Sequence, residues 1–247
     1  MTANTNNKPV AIVTGASSGI GLGITQALLQ EGYRVVANSR SISKSGDLKA
    51  SADLVLLDGD IGKKDTAIKV VQAAVKHFGR IDLLVNNAGI YMPKPFTEYT
   101  PEDFEAMIHT NIGGYFFVTQ QAIAQMRKQK SGHIVSIATY LVDQPLAGAP
   151  ISLPVITKST IPAFSRALAM EYVADGIRVN TISPGVVDTP MHANDDHEVL
   201  KKLHPVPRLV QVSEIVDALL YLESCCLLLL HRWGLMLRLR TPVICSS

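Results

Sequence analysis

Residues 9–14, PVAIVT, are a short apolar run rich in β-branched side chains, and they lead into the glycine-rich stretch TGASSGIG over residues 14–21. So short and so continuous an apolar run predicts a strand buried on both faces. Beyond the turn, Ile20, Ile24, Ala27 and Leu28 mark one stripe of a helix over 19–31. A strand buried on both faces belongs in a parallel sheet covered by helices, so this junction restricts the fold more than any other segment. Each glycine has its own reason to be there. Gly15 allows a tight turn, Gly19 lets the backbone approach a pyrophosphate, and Gly21 permits close packing of helix on strand. Backbone N–H groups and the helix dipole then face a bound phosphate.

The rest of the chain repeats the alternation. Strands are expected at 34–38, 54–57, 81–86, 133–137 and 177–182. A helix over 63–78 is marked by Ile68, Val71, Ala74, Val75 and Phe78, and a long one over 155–174 carries Lys158. Another starts at Thr100, with Pro101 at its first position and Asp103 placed for a capping box, and should run to about Lys128. Strands alternating with helices give an α/β class: one doubly wound parallel sheet in three α/β/α layers. The 247 residues suit one such domain over 8–224, with a polar, disordered lead-in at 1–7 and an atypical tail at 225–247.

Charge and composition exclude several classes. The formal net charge is +2 with basic residues spread along the chain, so nothing resembles a nucleic-acid-binding stripe. No apolar run reaches the roughly 18–20 residues of a membrane span, and the start lacks the pattern of a signal peptide. Cys225, Cys226 and Cys245 are the only cysteines, which rules out a disulfide framework in the body and points to a reducing cytoplasm. His192, Asp195, His197, Glu198 and His204 crowd one segment but lack HExxH spacing, so no metal site is expected there.

NNAG at 86–89, Asn111, Lys158 and SPG at 183–185 join TGASSGIG in order along the chain. Together they resemble the short-chain dehydrogenase/reductase family over about residues 8–222. The resemblance implies a Rossmann-type fold, a nicotinamide cofactor, a small-molecule substrate, and homodimers or homotetramers built on the helices around 100–128 and 155–174. It places Gly15, Ser17, Ser18 and Ile20 at the pyrophosphate and adjacent ribose, Asp60 at the adenine amino group and Ile61 against the ring. Asn87, Ala88 and Gly89 would line the cofactor, and Pro184, Gly185, Val187 and Thr189 would flank the nicotinamide. Residues 190–210 fall where the family has a substrate lid. At the end of the second strand the chain has Ser39 and Arg40 in place of an acidic residue. A guanidinium can hold a ribose 2′-phosphate bidentately, so NADP(H) is favoured over NAD(H).

The family's catalytic set is a tyrosine that donates a proton, a lysine four residues later that tunes it, a hydroxyl that orients the carbonyl, and an asparagine that supports a water relay. Lys158, Thr139 and Asn111 match the last three, whereas the tyrosine falls on Pro154. Proline has no proton to give. Three readings follow: another donor takes over (Tyr140, Tyr91, Asp143, or a water held by Lys158 and Asn111), the protein binds cofactor as a sensor or scaffold, or its substrate needs no strong acid. Tyr140 is the neighbour of Thr139 and on an extended chain would point away from it. The tail departs from the family's glycine-rich end near VDGG. It reads as an out-of-frame terminus, as an amphipathic membrane-surface anchor using Arg232, Arg238 and Arg240, or as a rebuilt last strand around 227–230.

Overall fold

In the computed structural model, residues on opposite sides of each strand bury into separate cores. The structure describes residues 8–204, 206–224, 228–229 and 236–237. The lead-in 1–7, the three cysteines and the three tail arginines therefore lie outside the described residues. Strands β1 (Val10–Thr14), β2 (Arg34–Ser39), β3 (Leu54–Asp58), β4 (Leu83–Asn86), β5 (Gly132–Ile137) and β6 (Ile177–Ile182) form one sheet in the order 3-2-1-4-5-6. Every pairing in it is parallel. Val10, Ile12, Val36, Leu84 and Ile134 pack against helices α2 (Lys64–Phe78), α4 (Gly114–Gln129) and α5 (Ser152–Tyr172). Ala11, Val13, Val35, Val85 and Val135 point the other way, onto α1 (Gly19–Gln30) and α7 (Val212–Ser224). Two apolar faces on one sheet are what the continuous apolar strands require.

Three sequence expectations shift. The helix starting at Thr100 has the capping box, with Thr100 accepting from the Asp103 N–H and Asp103 from the Thr100 N–H. It does not run unbroken to Lys128, because α3 (Pro101–Met107) passes through a π-helical turn at Ile108–Gly113 before α4 begins. Helix and loop crowd each other here: a Cβ on Gly114 would lie 2.8 Å from Ile61, and one on Gly62 would meet His109. In α2 the buried stripe is Ala67, Val70, Val71 and Ala74, slightly rotated from the expected one. Helix α5 begins at Ser152 rather than 155, which makes Pro154 its third residue. The N–H groups of a first turn have no helical acceptor, so proline costs no bond there. The first such bond runs from the Val155 N–H to the Ile151 carbonyl at 3.0 Å.

In the tail, β7 (Leu228–Leu229) pairs antiparallel with β8 (Met236–Leu237) and does not join the six-stranded sheet. Residues 227 and 230, which would complete the expected last strand, lie outside the described residues. No described helix is long and apolar enough to cross a membrane.

At the edge of the sheet where β5 and β6 begin, a buried polar cluster ties both strands to the end of α7. Glu223 contacts His133 Nδ1, accepts from Tyr33 Oη at 2.7 Å and pairs with Arg178 at 3.3 Å. His133 Nε2 faces Asn180 Oδ1 at 2.8 Å. Burial holds the imidazole of His133 below its ordinary pKa. Glu223→Ala would remove the carboxylate that Tyr33, His133 and Arg178 share, and breaking a buried pair typically costs about 3–5 kcal/mol. Urea denaturation should show that loss, and an unchanged midpoint would mean the cluster is not a structural tie.

Candidate active site

The strand order reverses between β2 and β4 on either side of β1, and the chain there folds into a cavity of about 700 Å³. Two residues fix the glycine turn beside it. Thr14 Oγ1 accepts from the Asn87 and Ala88 N–H groups, both at 3.1 Å. Asn87 Nδ2 donates back to the carbonyls of Thr14 and Gly15 at 3.0 and 3.2 Å. This exchange fixes the glycine turn against the end of β4. Gly15 has φ +66°, and a Cβ there would lie 2.8 Å from Ala88 Cα. Gly19 packs on Thr189, which brings the far loop after β6 over the start of α1.

One end of the cavity is suited to phosphates. Ser18 caps α1 in extended conformation but its hydroxyl makes no cap bond, and the first turn holds no acidic residue. The first N–H groups of a 12-residue helix therefore open onto the cavity, lined by Ser17, Ser18, Gly19 and Ile20. Ser39, Arg40 and Ser41 line the wall where β2 ends. Arg40 is exposed and forms no hydrogen bond or ion pair among the described residues. Next to them, Asn38 is buried, its Nδ2 donating to the carbonyls of Leu57 and Gly59 at 2.9 and 3.2 Å. Two carbonyl partners fix the amide orientation, and Oδ1 is left buried without a partner among the described residues. Asp60 accepts from the Gly62 N–H at 3.0 Å and faces His109 Nε2 at 2.9 Å. Burial works to raise its pKa, but these contacts outweigh it and hold the carboxyl below the usual range.

The other end holds the titratable groups. Lys158 Nζ donates to the Ile137 carbonyl at 3.0 Å and has no carboxylate partner among the described residues. Burial pulls its pKa down to about 8. A Cβ on Gly89 would lie 3.1 Å from that nitrogen and 3.2 Å from Asn111 Oδ1, so the bare backbone at Gly89 lets both side chains approach. Thr139 accepts from the Leu141 N–H at 3.4 Å, capping the short turn Tyr140–Val142. Because the chain turns at that point, Tyr140 lines the same cavity as Thr139 instead of pointing away. Its hydroxyl is buried and has no partner among the described residues, its ring packs 6.0 Å from that of His204, and burial raises its pKa. Pro154 lies on the wall, buried, one helical turn before Lys158.

Gly15, Ser17, Ser18, Ile20, Ser39, Arg40, Asp60, Ile61, Asn87, Ala88, Gly89, Lys158, Pro184, Gly185, Val187 and Thr189 all line this cavity, as does Thr139. Ile61 lends it only an edge, since most of its side chain sits in the core. Asn111 is the exception. It lies behind the wall, buried in the π turn, where it exchanges hydrogen bonds with the Ile90 N–H and C=O at 2.8 and 3.0 Å and donates to Thr157 at 3.0 Å. Tyr91 also lines the cavity, whereas Asp143 is exposed outside it. The expected lid supplies one wall, from Pro190 to Leu203. Its polar residues are engaged locally: His192 with Asp195 at 2.7 Å, and Asp196 as the cap of α6 (His197–Lys201). Among the described residues, no group of three His, Cys, Asp or Glu is arranged to hold a metal. Asn38 and Ser41 were missed, although a polar residue closing the apolar run of β2 was a usable sign.

Residues 9–199 match the model of the family described as short chain dehydrogenase. An uncharacterized oxidoreductase of Staphylococcus epidermidis is 34% identical over 214 residues, covering 86% of this chain and 89% of its own. A putative ketoacyl reductase of granaticin polyketide synthase from Streptomyces violaceoruber is 33% identical over 230 residues, covering 89% and 91%. Among solved structures, ElxO with NADP bound superposes with a TM-score of 0.79 at 26% identity, covering 87% of this chain and 91% of that one. A 3-ketoacyl-(acyl-carrier-protein) reductase from Brucella melitensis complexed with NADH gives 0.79 and 26%, covering 87% and 90%.

Proposed function

The chain belongs to the short chain dehydrogenase family, and from that premise we propose that it is an NADP(H)-dependent oxidoreductase that reduces a small carbonyl compound or oxidises the matching alcohol. One observation carries the reading. A single cavity joins an uncapped helix start and a guanidinium without a partner among the described residues at one end to a half-buried lysine and a threonine hydroxyl at the other.

The α1 N–H groups with Ser17, Ser18 and Ile20 would hold the pyrophosphate, and Arg40 with Ser39 the 2′-phosphate. Asn38 and Asp60 supply acceptors beside the adenosine, and Ile61 an apolar edge. Lys158 would hold the nicotinamide ribose, with Asn87, Ala88, Gly89, Pro184, Gly185, Val187 and Thr189 shaping the site around the ring. When bound, the reduced cofactor supplies a hydride. The protein's own part is to place the substrate carbonyl beside Thr139, exclude water and deliver a proton. Asn111 acts through its neighbours, holding the Ile90 backbone and the start of the Lys158 turn. Leu141, Leu146, Ile151, Val155, Val199 and Leu203 make the substrate end apolar, which suits a ketone with a hydrocarbon body.

Self-association through the helices around 100–128 and 155–174 accords with the exposure of Phe104, Phe116, Ile156 and Met170 there. The function is tested by following NADPH consumption with a panel of aliphatic ketones and β-ketoacyl thioesters. Substrate-dependent consumption is expected; NADPH binding without any turnover across the panel would favour a sensor or scaffold instead.

A further inference from the structure

Resting on that reading, we propose that Lys158 is itself the proton donor to the substrate's carbonyl oxygen, in place of a hydroxyl at position 154. Residues four apart share one face of a helix, so Pro154 and Lys158 present to the same part of the cavity. The first offers a protonless ring. The second offers an ammonium with three N–H bonds, of which one is spent on the Ile137 carbonyl.

The competing donors are each disfavoured by their surroundings. Tyr140 keeps its hydroxyl buried, without a partner among the described residues and with a raised pKa. Tyr91 is also raised, by burial first and then by the Asp195 charge. Asp143 is outside the cavity, His192 is held by Asp195, and Asp196 caps α6. Asp60 lies at the opposite, adenosine end, ionised and paired with His109. Burial is the cause of the Lys158 shift, so no neighbouring charge needs to move for it to act.

In the step, the carbonyl carbon gains a hydride, with its two electrons, from the reduced nicotinamide. The C=O π pair moves to oxygen, which takes a proton from Nζ. One C–H and one O–H bond form, one N–H bond breaks, and the ketone becomes an alcohol with oxidation of the cofactor. The neutral amine recovers its proton from water. Because the ammonium is the active form, reduction is fastest below the Lys158 pKa and declines as pH rises through about 8. Alcohol oxidation, which needs the amine, rises over the same interval.

The first readout needs no turnover. In NMR of apoprotein carrying labelled lysine side chains, the resonance missing from Lys158→Met should titrate near 8, against about 10.4 for ordinary lysines. Lys158→Arg keeps the positive charge but cannot release a proton. It should lose about 10²–10⁴ in reduction rate, abolish the inflection near 8, and keep NADPH affinity within about tenfold. Tyr140→Phe and Tyr91→Phe should retain that inflection. A Lys158 that titrates with the other lysines, an arginine variant with the wild-type rate, or an inflection lost in Tyr140→Phe would each overturn the assignment while leaving the oxidoreductase reading in place. A protein that neither binds NADPH nor turns over, despite a Lys158 titrating near 8, would overturn both.

Discussion

Arg40→Asp should weaken NADPH binding by about 10²-fold while leaving NADH binding within a few-fold of wild type. Charge-assisted hydrogen bonds contribute about 1.5–3 kcal/mol, and every 1.4 kcal/mol is roughly tenfold in affinity. The carboxylate also adds repulsion toward a dianionic 2′-phosphate and an acceptor for a ribose 2′-hydroxyl. Arg40 is exposed and tied to nothing among the described residues, so its replacement disturbs no packing. The selectivity of the loss is therefore what identifies the contact. Fluorescence titration with both nucleotides reads it, and equal losses for the two would make Arg40 an ordinary surface residue.

Gly21→Ala should damage both the fold and the cofactor site. Gly21 is helical, so no backbone strain is involved, but a Cβ there would lie 2.3 Å from the Gly15 carbonyl oxygen and 2.5 Å from Asn87 Nδ2. Neither atom can retreat, because Asn87 also holds the Thr14 carbonyl and the whole turn is fixed by that exchange. Overpacking of this kind typically costs about 1–3 kcal/mol, and here it also moves the N–H groups that would face the pyrophosphate. Thermal unfolding should fall by several degrees, and NADPH affinity should fall with it. A variant with wild-type affinity would mean the turn does not bind phosphate.

Much of this was readable from the chain because the strands are short, apolar and separated by helical stripes. The sixth strand, 177–182, has the expected bounds, and the others agree to within a residue or two. What stayed hidden depends on contacts between segments. Apolar spacing continues straight through Ile108–Gly113, so nothing in it announces the π turn that aims Asn111 at Ile90 rather than into the cavity. Pro154 was expected to precede α5 and instead sits inside its first turn, where a missing N–H costs nothing. Helix α7 and the Glu223 cluster were not anticipated either, since Tyr33, His133, Arg178 and Glu223 are far apart in the chain and meet only in the fold. The turn after Thr139, which brings Tyr140 to the cavity wall, has no glycine or proline to mark it.

The most direct test is an equilibrium titration of the purified wild-type protein with NADPH and with NADH. Saturable NADPH binding is expected, with NADH weaker by about 10²-fold, the counterpart of the charge-assisted contacts proposed at Arg40. Binding of neither nucleotide would overturn the proposed cofactor site.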